Sequence, residues 1–117
     1  MNEVGWIVDL DILPDQVDAF YALTLEMINA AHSEPGCLSY ERFFTGDRRK
    51  CRILERYESS EAALHHLGSF RKAFGPRYEQ MVNRRSFWIF GQPSRALAEE
   101  LNRFSSELHP HVVGFHD

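Results

Sequence analysis

Between Cys37 and Tyr57 the chain reads CLSYERFFTGDRRKCRILERY, two runs rich in aromatic and branched residues around Gly46-Asp47-Arg48-Arg49. Two such runs about a short turn-forming loop predict an antiparallel hairpin. Side chains alternate across a strand. Leu38, Tyr40, Arg42 and Phe44 therefore share one face of the first arm, with Cys37, Ser39, Glu41 and Phe43 on the other. In the second arm Cys51, Ile53, Glu55 and Tyr57 lie together, opposite Arg52, Leu54 and Arg56. A turn at Gly46-Asp47 sets Cys51 opposite Arg42 or Phe44 and Cys37 near Arg56. The register thus keeps the two cysteines apart, and both are expected as thiols.

Working outward, each end of the hairpin meets a helix and then a strand. Upstream, Pro14 suits a first helical position, with Asp15 and Asp18 in the opening turns. Val17, Phe20, Tyr21, Thr24, Ile28 and Ala31 come at helical spacing until Glu34-Pro35-Gly36 ends the run. Before it, Val4, Trp6, Ile7, Val8 and Leu10 read as a strand. Downstream, Ser59-Ser60-Glu61 caps a helix holding Ala62, Ala63, Leu64 and Leu67. Gly68-Ser69 is expected to interrupt that helix, and Gly75-Pro76 to split a second segment running from about Phe70 to Val82. Ser86 to Gly91 reads as a short strand with Phe87 and Ile89 on one face, Trp88 and Phe90 on the other. Gln92-Pro93-Ser94 opens a further helix with Leu97, Ala98, Leu101 and Phe104 on one stripe, able to run to Leu108. His111 to Phe115 is left as a terminal strand or an ordered tail.

The order β-α-β-β-α-β predicts an α+β, ferredoxin-like fold: an antiparallel sheet with helices on one face and an extra C-terminal helix. One domain is expected over residues 1–117, with its core at about 3–92 and an extension at 93–117. A last strand apolar on both faces must be covered on both. The helices cover one. The other predicts a homodimer whose sheets pack face to face about a two-fold axis.

The chain has 117 residues, 44% hydrophobic and 26% charged, with a formal net charge of −4. This composition supports a packed core and lacks the basic excess of a nucleic-acid binder. Apolar runs such as Phe87 to Phe90 are far short of the roughly 20 residues that span a bilayer. Met1-Asn2-Glu3 lacks the basic flank of a signal peptide, so a soluble, cytoplasmic protein is expected, with neither nucleic acid nor membrane as partner. No nucleotide-binding glycine loop, zincin, C-x-x-C or nucleophile-elbow motif is present. His109, His111 and His116 lack a companion ligand set beyond Asp117, so no metal site is expected.

Three stretches resemble the antibiotic biosynthesis monooxygenase family. Glu34-Pro35-Gly36-Cys37-Leu38-Ser39-Tyr40 is similar to that family's exit from the first helix. Glu55-Arg56-Tyr57-Glu58-Ser59, followed by Ala62, Ala63, Leu64 and His66-Leu67, is similar to its third strand and next helix, where an aromatic residue and a histidine recur. Phe87 to Pro93 resembles its last strand. The likeness spans about residues 3 to 92. It implies a dimeric α+β barrel, and for some members oxidation of quinols or polycyclic phenols by dioxygen with no metal or flavin cofactor. Such chemistry needs an aromatic cavity, a group to take the phenolic proton and donors for the developing oxyanion.

On that reading the catalytic candidates are His66, by family position and because its charge changes near neutral pH, with Tyr57 and Tyr40. Trp6, Phe70, Phe74, Phe87 and Trp88 are candidates to bind the substrate, each also an ordinary core residue. His65 points about 100° away round the helix. Glu55 and Arg56, neighbours on a strand, face opposite sides of the sheet, and Glu55 is read as a structural partner for an arginine. Haem breakdown, another activity of related barrels, lacks a tryptophan on the middle helices. Two readings compete with the monooxygenase: an isomerase or lyase moving protons through His66, and a non-catalytic ligand-binding or dimerisation module.

Overall fold

The hairpin forms where the alternation places it. In the computed structural model, which describes residues 2–104, 106–110 and 114, β2 (Cys37–Phe44) and β3 (Lys50–Tyr57) are antiparallel. They are joined by a turn in which Thr45 and Asp47 hydrogen-bond each other. With β1 (Val4–Ile12), β4 (Val82–Gly91) and β5 (Glu107–His109) they build one open sheet of order β2-β3-β1-β4-β5. The first four strands pair antiparallel in ferredoxin-like order, and β5 joins β4 in parallel.

Cys51 lies opposite Phe44 and Cys37 opposite Tyr57, and both cysteines are free thiols. Burial holds the Cys51 thiol up at about 11. A register shift between Cys37 and Ser39 breaks the alternation of the first arm. Leu38 is the extra residue, 48% exposed, rather than a member of the Tyr40, Arg42 and Phe44 face. A second shift, between Asp9 and Leu10, pairs Asp9 with Ser86 and Leu10 with Arg84. Arg85 is skipped, so Arg84 shares the inner face with Phe87 and Ile89; bulges re-aim side chains in this way.

A single 3-10 turn at Pro14–Gln16 leads into α1 (Val17–His32). Phe20, Leu23, Thr24, Met27 and Ala31 are its buried residues, a stripe turned toward Leu23 and Met27 and away from the expected Tyr21 and Ile28. α2 (Ser60–Ala73) is capped by the Ser59 hydroxyl, which accepts from the Ala62 amide. It runs unbroken through Gly68-Ser69, against the sequence expectation. Gly68 is exposed, and one glycine costs a helix only about 1 kcal/mol. The break comes at Phe74, before α3 (Gly75–Met81), where Pro76 takes an early position.

The last helix, α4 (Arg95–Leu101), is capped by Ser94 and ends in a 3-10 turn at Asn102–Phe104. It does not reach Leu108, which lies in β5. The expected strand or tail at His111 to Phe115 lies outside the described residues except for Gly114, and His111 and His116 lie outside them too. Among the described residues no helix is long and apolar enough to cross a membrane.

Helices α1 to α3 cover the face bearing Val4, Trp6, Val8, Leu10, Ile53, Tyr57, Phe87 and Ile89, which form one core with Phe20, Leu23, Met27, Tyr78, Leu97 and Leu101. The opposite face, not covered by helices, carries a row of Leu54, Ile7 and Trp88 across three strands. Phe90 lies over Gly5, where an added Cβ would fall 2.4 Å from the ring.

Candidate active site

The inner face of the hairpin is apolar at Ile53 and Tyr57, yet two charged residues share it. Glu55 projects from β3 between them, and Arg42 sits on the neighbouring strand one cross-strand pair away, opposite Ile53. Burying either charge alone would be costly. They meet at 3.2 Å, Arg42 Nη2 donating to Glu55 Oε2, with side chains 2% and 7% exposed. Glu55 Oε1 accepts from the Tyr57 hydroxyl at 2.7 Å and faces His66 Nε2 at 3.3 Å. The other ring nitrogen, Nδ1, lies 2.7 Å from Glu34 Oε1.

Two elements deliver these groups. α2 turns His66 down onto the sheet and leaves His65 exposed. Glu34 arrives from the loop after α1, which closes against α2 at Gly36. Gly36 has φ +83°, and a Cβ there would lie 2.7 Å from that of Ala62. Only glycine permits both the backbone angle and the contact.

The electrostatics follow from this packing. Burial disfavours the Glu55 carboxylate, but the hydrogen bond and charge of His66, with Arg42 and Tyr57, outweigh it and bring the carboxyl to about 2. Burial likewise opposes a charged His66, yet Glu55 and Glu34 raise its pKa above the ordinary value. Burial and the Glu55 charge push both Tyr57 and Tyr40 upward, so neither phenol ionises readily. The result is a histidine clamped by two carboxylates that favour its charged form, one deeply buried and one nearer the surface. Such a group can deliver a proton and be recharged.

His66 and Glu55 stand on the wall of a small cavity of about 40 Å³, lined also by Trp6, Arg42, Phe70, Tyr78, Arg84, Phe87 and Phe104. That space takes a water or a polar head and is smaller than a bicyclic ring. A second cleft of about 340 Å³ adjoins it, and Leu67, Phe70 and Phe104 line both.

Of the residues singled out from sequence, His66, Tyr57 and Tyr40 come together. The Tyr57 and Tyr40 rings lie 5.2 and 5.3 Å from the imidazole. Trp6, Phe70 and Phe87 line the cavity. Phe74 does not line it; it packs against Phe70 at 6.4 Å. Trp88 is on the other face of the sheet, 48% exposed and 5.2 Å from His109. Sequence reasoning passed over Glu34; it expected Glu55 to pair with an arginine, as it does with Arg42, and ranked that structural role above a catalytic one. The available signal was a charged residue on an otherwise apolar strand face. Among the described residues no group of three or more histidines, cysteines or acids is placed to hold a metal ion.

The sequence model of the antibiotic biosynthesis monooxygenase family matches residues 4–84. No curated protein matches the chain in sequence. Among solved structures the chain is similar to MupZ from Pseudomonas fluorescens at a TM-score of 0.83 and 17% identity, over 100% of this chain and 96% of that one. It is similar to Rv0793 from Mycobacterium tuberculosis at a TM-score of 0.63 and 26% identity, over 81% and 99% of the two chains. A Chloroflexus aurantiacus protein assigned as an antibiotic biosynthesis monooxygenase aligns with a TM-score of 0.62 and 25% identity, over 75% and 90%.

Proposed function

The chain belongs to the antibiotic biosynthesis monooxygenase family, and from that premise we propose that it oxidises a small aromatic or quinol substrate with dioxygen, using no metal or flavin. The observation that carries this reading is the His66 imidazole, held between Glu34 and Glu55 on the wall of an aromatic-lined cavity. Without a cofactor the electrons come from the substrate, which must first become an anion.

In the proposed sequence the substrate loses its phenolic proton to solvent, and the anion passes one electron to dioxygen. The resulting radical and superoxide join in a carbon–oxygen bond. The peroxide takes a proton from His66, and the proton on that carbon then passes back to the imidazole as the O–O bond breaks, leaving a carbonyl and hydroxide. A carbon bearing two hydrogens in the keto tautomer thus becomes C=O, and the second oxygen atom leaves as water. Arg42 and the His66 imidazolium oppose the anionic charge, and His66 protonates the departing hydroxide. Glu34, the more exposed carboxylate, relays protons between His66 and solvent.

A second reading, an isomerase or lyase, is favoured by the same clamp, since proton movement alone needs only those groups. Oxygen uptake with a panel of quinols and naphthols separates the two. Wild-type protein consumes oxygen in step with substrate loss, and His66→Gln lowers the rate about 100-fold or more while circular dichroism is unchanged. Turnover that persists without oxygen supports the isomerase or lyase, and no turnover of any kind supports a binding module.

The proposal includes the homodimer. Leu54, Ile7, Trp88 and Phe90 form an apolar band on the open sheet face, with Phe43 54% exposed beside it. Ion pairs Arg52–Asp9, Arg56–Glu3 and Arg85–Asp11 flank the band. An apolar centre with a paired, charged rim has the anatomy of a protein interface.

A further inference from the structure

The inner chamber gathers basic groups on its wall, each with a carboxylate partner. Its wall carries Arg42, Arg84 and the imidazolium of His66 against the single carboxylate of Glu55. Arg84 pairs with Glu79, which is 54% exposed, and Glu34 meets His66 at Nδ1.

Arg42 has donors to spare. Nη2 gives to Glu55 and Nη1 to the Glu41 carbonyl at 3.3 Å, while Nε is a buried donor with no hydrogen-bond partner. Its guanidinium also lies 3.9 Å above the Tyr40 ring, which fixes its plane. A buried guanidinium with an unused N–H is expensive to hold unless something else completes it.

The two spaces differ in character. The inner one, about 40 Å³, suits a carboxylate or a phenolic oxygen. The outer one, about 340 Å³, has room for rings and is walled by Leu67, Phe70, Pro76 and Phe104. Phe70 and Phe104 belong to both. Phe104 is stacked on Phe87 at 5.3 Å and comes from the 3-10 turn after α4.

We infer that the substrate is an amphipathic aromatic anion, whose anionic oxygen enters the inner chamber to complete the hydrogen bonding of Arg42 while its rings lie in the outer cleft between Phe70 and Phe104. This inference rests on reading the chamber beside His66 as the substrate site. It requires no particular reaction there. A carboxylate and an ionised phenol present the same chemistry to Arg42.

The test is equilibrium binding with oxygen excluded, read by intrinsic tryptophan fluorescence or calorimetry, at neutral pH for naphthoate and at alkaline pH for naphthol. Naphthoate is compared with its neutral isostere naphthamide, and naphthol with methoxynaphthalene. Wild-type protein prefers at least one anion over its neutral isostere by roughly tenfold or more. A preference for naphthoate identifies a carboxylate, and one for naphthol an ionised phenol. In Arg42→Met that preference disappears. Equal binding of anions and isosteres by wild-type protein overturns the inference, and so does a preference that survives in Arg42→Met. The wild-type comparison stands even where Arg42→Met fails to fold. Because oxygen is absent, failure to consume oxygen in turnover leaves this result untouched.

Discussion

His66 draws its charge from two carboxylates at once, and this gives the chain a pH signature. The carboxyl of Glu55 is lowered from 4.5 to about 2, so its contribution to stability is complete above pH 4.5 and lost as pH falls toward 2. The pKa of His66 is raised above 6.5, so its contribution is complete below pH 6.5 and lost as pH climbs through the raised value. Together they place the full effect between pH 4.5 and 6.5. Denaturant unfolding across a pH series is expected to show an alkaline decline that His66→Gln flattens; an unchanged alkaline limb in that variant would separate His66 from the carboxylates. Histidine at position 66 was legible as a candidate because its type and place on a helix are local facts. An arginine partner for Glu55 was read from the strand, but the meeting of Glu34, Arg42 and Glu55 at one imidazole was not. It depends on three elements meeting, and a strand pattern says which face a side chain takes, not what it finds there. Arg84 was hidden for a further reason: the bulge that skips Arg85 moves it to the inner face.

At the scale of elements, hairpin, caps and terminators were readable because each rests on short-range chemistry. The turn after Phe44, the Ser59 hydroxyl on the Ala62 amide and the stop at Gly36 are all decided within a few residues. The continuity of α2 was not readable, because burial of His66 and Leu67 on one side carries the helix past Gly68. The end of α4 was likewise set from outside, by β5 adding to the edge of β4. Gly68 offers a direct check. Nothing lies within 4 Å of an added Cβ there, so Gly68→Ala is expected to stabilise the chain by about 1 kcal/mol, a rise of a few degrees in Tm. A lower Tm would mean that the helix needs the glycine to break. Gly36→Ala differs in kind, because it meets Ala62 and a left-handed backbone together and so displaces Glu34 from His66.

For the whole molecule, the sheet divides the two roles of the chain. Its helix side holds the polar cluster and cavity; its open side holds the apolar band around Trp88. A monomer would leave that band in water, which argues for a second copy. Trp88→Glu is expected to yield monomers in analytical ultracentrifugation with the fold intact, since Trp88 is 48% exposed on the sheet face opposite His66; a variant still dimeric would move the interface elsewhere. On the proposed reading the clamped imidazole serves an oxidation in which one atom of dioxygen ends in the product and the other in water. Turnover under isotopically heavy dioxygen, analysed by mass spectrometry, addresses it directly. The expected product carries one heavy oxygen atom, formed about 100-fold more slowly by His66→Gln. A product that carries none, or that forms equally fast without oxygen, would contradict the account.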